Sequence, residues 1–150
     1  MGISFKEMGR RLNSITKQEL QKEVQNLVET DKNRDLRKAK INELEFGLRP
    51  DYTKIGSYRS DSYASNKNNM NGLAGFGNVD LILTGAWSNS LFPIKKGDGF
   101  FFDSSNDKNS ELISKYGLDI LGLNQKTFNK IQKEVYARQI VLFIKKRIGQ

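Results

Sequence analysis

The side chains available for chemistry are few in kind. The 150 residues contain no Cys and no His. This removes Cys-rich zinc sites, His-carboxylate metal sets, Cys-His and Ser-His nucleophile pairs and the commonest general base. What remains is carboxylate, Lys, Tyr or hydroxyl chemistry. Two carboxylates can divide acid and base roles when their surroundings push their pKa values apart, and Asp80, Asp103, Asp107 and Asp119 fall in the second half of the chain. No two of them share the spacing of a known catalytic motif, and the Asp, Asn and closing Glu pattern of a calcium loop is absent. Turn, cap and surface roles account for them. The run Gly72-Leu73-Ala74-Gly75-Phe76-Gly77 has the glycine content of a phosphate-cradling loop, but no Lys-Ser or Lys-Thr follows, and its order differs from the dinucleotide fingerprint. It reads as a flexible loop. The expectation is a protein that is not an enzyme and uses neither cofactor nor metal.

Charge points outward, to partners. Lys and Arg number 25 against 17 Asp and Glu, a net charge of +8, and each half of the chain nets +4, so neither half is a detached basic arm. One stretch is richer: Lys126, Lys130, Lys133, Arg138, Lys145, Lys146 and Arg147 face only Glu134, a net of +6 over 22 residues. Such a stretch suits nucleic acid, an acidic protein surface or anionic lipid, and it equally suits a plain solvated helix face. The longest strongly apolar run, Ile140 to Ile144, is far short of the roughly 20 residues that span a membrane, and no signal-peptide core is visible at the N-terminus. A soluble protein with no membrane contact, kept in a cytoplasm until it is assembled, is expected.

The elements that must carry these residues can be placed from capping and periodicity. A length of 150 residues suits one domain of roughly 100–150 residues, divided into an N-terminal helical segment (1–49), a polar loop (50–78), a sheet with a short helix (79–123) and a C-terminal helix (124–150). Thr16-Lys17-Gln18-Glu19 has the spacing of a capping box. Leu20, Val24, Leu27 and Val28 then form one helical stripe that Leu36, Ile41 and Leu44 extend. Glu29 to Asp35 carries no apolar residue, so the long helix either projects there or breaks in two; Ser4 to Leu12 adds a short turn before it. Residues 50–78 are rich in Asn, Ser, Tyr and Gly, which is loop chemistry. This loop lacks apolar anchors and is expected to be mobile until a neighbour orders it. Val79 to Leu83 reads as a strand or the start of a buried helix, and Asp98-Gly99 signals a hairpin between runs 90–95 and 99–103. Asn106 to Tyr116 is a short helix ended by Gly117. Asn124 caps the last helix, with Leu123 and Phe128 spaced as a hydrophobic staple. Ile131, Val135, Leu142 and Ile148 continue its inner face. The fold class is α+β: a long N-terminal and a C-terminal helix packed on a small antiparallel sheet with a β-hairpin and a long polar loop. Ile140, Val141, Phe143 and Ile144 cannot all face one core from a single helix, since successive residues point about 100° apart, so they are the candidate subunit interface.

The most individual segment runs from Leu81 to Leu91 and includes Thr84, Gly85, Trp87 and Ser90; a second runs from Lys115 to Leu123 and includes Tyr116, Gly117, Ile120 and Gly122. In order and spacing the chain from about residue 17 to 145 resembles the tail-completion or virion-morphogenesis proteins of tailed bacteriophages. Leu81, Thr84, Gly85, Ser90 and Leu91 match that family's first element, with Trp87 where Leu is more usual. Tyr116, Gly117, Ile120, Gly122 and Leu123 match the second. The resemblance implies a structural virion protein of the neck or tail, with no catalytic site, that forms a homo-oligomeric ring. Its partners would be connector or adaptor proteins on one side and tail-tube or tail-terminator proteins on the other, with DNA at most as lumen content. A basic module that binds nucleic acid or an acidic partner through Lys126 to Arg147 is the alternative.

Overall fold

The computed structural model describes residues 4–82 and 84–150. The chain is α+β, as expected, with helices gathered around one two-stranded antiparallel sheet. Helix α1 (Phe5–Asn13) precedes α2 (Lys17–Thr30), which starts at the anticipated capping box: the Thr16 hydroxyl accepts from the Glu19 N–H, and the Glu19 carboxylate accepts from the Thr16 N–H. The long N-terminal helix breaks rather than projects. Asp31 and Arg34 take left-handed φ values of 37° and 59°, which end α2, and α3 (Asp35–Glu45) starts as a separate helix. Arg34 supplies no side-chain cap; the Asp31 carboxylate instead reaches forward and accepts from the Leu36 and Arg37 N–H groups at 3.0 and 3.1 Å. This places an anion at the positive end of α3.

The segment 50–78 is not a long loop. Its centre is helix α4 (Asp61–Met70), started by the Ser60 hydroxyl, which accepts from the Tyr63 N–H. Ile55, Ala64 and Ala74 within the segment are buried, and these are the apolar anchors that the Asn and Ser content obscured. The bridge Leu48↔Lys54 ties its first arm to the end of the N-terminal helical segment, and Ser57↔Asn78 ties its two arms to each other. The run from Val79 becomes neither strand nor helix over 79–82, and Leu83 lies outside the described residues. Its polar member, Asp80, is 1% exposed, so the chain bends to place that carboxylate among donors instead of continuing a ladder.

After the short helix α5 (Ala86–Asn89), β1 (Leu91–Lys96) pairs with β2 (Gly99–Ser104) in the register Leu91↔Ser104 to Lys96↔Gly99. The hairpin was legible, but its loop is Gly97-Asp98, with Gly97 at φ 57°. Glycine thus occupies the first loop position, one residue before the Asp-Gly reading. Leu91 and Phe102 point inward, against a core that includes Leu36, Leu44, Trp87, Ile120 and Tyr136. Helix α6 (Asn109–Tyr116) ends at Gly117, and a 3-10 turn (Leu118–Leu121) leads to α7 (Gln125–Ile131), capped by Asn124 as expected. A single π turn (Gln132–Tyr136) joins α7 to α8 (Ala137–Ile148). This extra residue rotates the following face by about 100°. Leu142, expected to continue the inner face, is therefore 57% exposed, while Ile140, Phe143 and Ile144 are half-buried and Ile148 is buried. Within the described residues, no helix is long and apolar enough to cross a membrane.

Candidate functional site

A groove of about 930 Å³ runs between the start of α4, the stretch around Leu81 to Trp87, and α6. Three tyrosines line it. Tyr58 and Tyr63 meet edge to face at 4.9 Å between ring centroids; Tyr116 lies on α6, with the Lys115 ammonium 5.2 Å from its ring centre. The position of α6 is fixed from the other wall, because the Trp87 indole N–H donates to Asn109 Oδ1 at 2.9 Å. Gly85 supports this corner: at φ 78° it permits the turn into α5, and a Cβ there would come within 3.0 Å of the Asn89 amide.

Beneath the groove lies a buried ion pair. Lys67 of α4 places its ammonium 2.6 Å from Asp80 Oδ1, with side-chain exposures of 5% and 1%, and also donates to the Ile82 carbonyl. Asp80 collects the remaining donors: Tyr58 O–H at 3.4 Å, the Ile82 N–H at 3.1 Å and Asn71 Nδ2 at 2.8 Å. Asn71 in turn donates to the Glu45 carbonyl at the end of α3. Burial, then the neighbouring Asp80 charge, raises the Tyr58 hydroxyl well above its ordinary range, so Tyr58 remains a donor. The network is a scaffold: it welds α4 to the chain that carries Leu81 and to the end of α3. Asp80, read from sequence as a turn or surface residue, is one half of this pair. Of the groove tyrosines only Tyr116 was singled out from sequence; Lys67, Tyr58 and Tyr63 were not. Ser60 followed by Asp61 was the available signal for α4, the helix that carries Tyr63 and Lys67.

The family-like residues divide between groove and core. Leu81, Thr84, Gly85 and Tyr116 line the groove, and Leu81 is held at φ 34°, an uncommon value for a bulky side chain. Leu91 and Ile120 are fully buried, and Leu123 packs against the same core. The Ser90 hydroxyl donates to the Trp87 carbonyl at 2.7 Å and meets the Ser104 hydroxyl across the hairpin. Gly117 closes α6, and Gly122 is pressed against Pro50. Two separated sequence elements thus build one corner of the fold and open onto one groove.

The other carboxylates are dispersed. Asp103 accepts from the Ser104 N–H and from Asn109, Asp119 accepts from Arg49 at 2.6 Å, and Asp107 is exposed. Among the described residues no three acidic side chains come together as a metal site would require. Lys126, Lys130, Lys133, Arg138, Lys145, Lys146 and Arg147 are all exposed, and Arg147 is paired with Glu19 at 2.7 Å. In the candidate interface, Val141 is 50% exposed, with Leu142 beside it. Compared with known proteins, the chain matches no protein family, no curated protein and no solved structure.

Proposed function

We propose that this chain is a structural virion protein of a tailed phage, a tail-completion or head-to-tail joining protein that forms a ring between connector and tail. The observation that carries this reading is the apolar surface left open on α8, where Val141 and Leu142 are 50% and 57% exposed beside half-buried Ile140, Phe143 and Ile144. Adjacent exposed aliphatic side chains on a helix are covered when a second chain packs on them. The resemblance of the Leu81 to Leu91 and Tyr116 to Leu123 elements supplies the identity of the assembly. In a ring each subunit presents one patch to a different patch on the next, so closure needs no catalytic group. The test is light scattering of the purified chain, alone and with connector-side and tail-side virion proteins. A ring-sized species that Leu142→Asp abolishes supports the reading; a chain that stays monomeric at high concentration and with every component overturns it.

The second reading, a module for nucleic acid, is favoured by the exposure of the basic stretch from Lys126 to Arg147. It demands that Lys130→Gln, Lys133→Gln, Lys145→Gln and Lys146→Gln together weaken binding and flatten its salt dependence.

A further inference from the structure

The groove over the Lys67–Asp80 pair lies apart from the α8 patch, and its rim is mostly of one sign. Arg59, Lys108 and Lys115 are exposed along it. Among the described residues none of the three makes an ion pair. Among the described residues Glu111 is the one acidic side chain in the lining. Below this rim the lining mixes apolar side chains with the hydroxyls of Ser57, Ser60 and Thr84; Leu81 and Leu112, both half-buried, are its aliphatic floor, and Tyr63 of the wall is 44% exposed. We infer that the groove is a docking site for an extended segment of a partner protein in which carboxylate side chains alternate with apolar ones.

Charge and shape select that occupant. An extended peptide sends successive side chains to opposite sides, so one set can reach the aliphatic floor while the other meets the cationic rim. Recognition of extended segments in aromatic-lined grooves, with charge fixing the register, follows the same logic. A single-stranded nucleic acid fits less well. It presents a phosphate at every nucleotide, which three free cations opposed by Glu111 do not match, and it wants open ring faces for stacking. Trp87, the ring with most area to offer, is only 5% exposed and its indole N–H is already committed to Asn109.

Trp87 is the only tryptophan and lines the groove, so its emission reports occupancy. The probes are a short synthetic peptide in which Glu alternates with Leu and Pro, the same peptide with Gln for Glu, and oligo-dT, each titrated by calorimetry with Trp87 emission followed in parallel. The expected result is binding of the Glu peptide that shifts Trp87 emission and weakens with salt. The Gln peptide should bind at least about tenfold more weakly, a difference of about 1.4 kcal/mol. Lys108→Glu with Lys115→Glu, both at exposed positions, should lower affinity for the Glu peptide by about tenfold or more, while Lys145→Glu with Lys146→Glu on α8 should leave it unchanged. Equal binding of the Glu and Gln peptides, stronger binding of oligo-dT at the same residues, or no binding of any probe overturns the inference. Because α8 is not involved, this outcome is separate from the light-scattering test of ring formation.

Discussion

The Lys67 ammonium and the Asp80 carboxylate stand 2.6 Å apart with both side chains shielded from water, and they join two segments 13 positions apart that no regular ladder connects. Burying two charges is expensive, and the cost is recovered only when the pair and its remaining lone pairs are fully met. Tyr58, Asn71 and the Ile82 backbone meet them here. Removing one partner leaves the other charge buried and alone. Lys67→Met and Asp80→Leu are each expected to destabilise by about 3–5 kcal/mol, whereas the double variant should lose less than the sum of the two. Urea unfolding of the three variants measures this; strict additivity would show that the pair is not coupled.

Acid should loosen the N-terminal end before the core. Arg10, with Arg11 beside it, holds the Glu7 carboxyl at about 2, below its ordinary 4.5. The Thr16 N–H, followed by Arg147, lowers Glu19. A carboxyl whose pKa is depressed in the folded chain contributes stability that is complete above its unfolded value and is lost as pH falls through the folded value. The window for Glu7 therefore opens near 4.5 and closes near 2. Glu19 binds Arg147 of α8, and Glu7 binds Arg10 and Arg11 of its own helix, so protonation should loosen α1 and free the start of α2 from the end of α8. Amide exchange followed across that window should rise first at residues 5–20. Loss of protection in the hairpin before those residues would contradict this account.

Residues 51–78 are expected to resist proteolysis and exchange in the isolated chain. The Ile55, Tyr58 and Val79 N–H groups donate to the Gly47, Gly77 and Gly56 carbonyls at 2.8–2.9 Å, and the Lys54 ammonium bridges the Phe46 and Ala74 carbonyls. These amides should exchange on the timescale of the core. Exchange as fast as at the hairpin tip would restore the mobile-loop reading. Composition was misleading here for a physical reason: the anchors are single residues, Ile55, Ala64 and Ala74, spaced too widely to make a period. Strongly local signals were legible, among them the Thr16–Glu19 box, the Asn124 cap and the Gly97-Asp98 turn to within one position. The Lys67–Asp80 pair depends on contacts across the chain and left no local trace, whereas Leu81, Thr84, Gly85 and Tyr116 of the groove stood out in sequence as family-like residues without showing that they meet.

The π turn gives a stability prediction of its own. It contains Tyr136, which is 6% exposed and whose hydroxyl has no hydrogen-bond partner among the described residues; burial raises its pKa far above the ordinary range. A buried hydroxyl without a partner carries a desolvation cost of about 1–3 kcal/mol. Tyr136→Phe keeps the ring against Phe128 and removes that cost, so the variant should be as stable as the parent or up to about 1 kcal/mol more stable. Thermal unfolding decides it. Marked destabilisation would reveal that the hydroxyl is satisfied by an ordered water.

The same π turn determines which substitutions can separate assembly from folding. A regular helix would have carried Leu142 inward along the line from Ile131 and Val135, and Leu142→Asp would then simply unfold the chain. With the extra residue in place, Val141 and Leu142 face outward and Phe143 and Ile144 turn partly inward. Val141→Asp and Leu142→Asp should therefore change stability by no more than about 0.5 kcal/mol, as exposed substitutions do. Phe143→Asp and Ile144→Asp place a charge in a partly buried site and should cost clearly more. Circular dichroism melts of the four variants, set beside their light scattering with virion components, give two independent readings. If the first two variants melt with the parent and no longer associate, the α8 surface is an interface. If they associate as the parent does, the ring must close through another face, and α8 is exposed for some other reason.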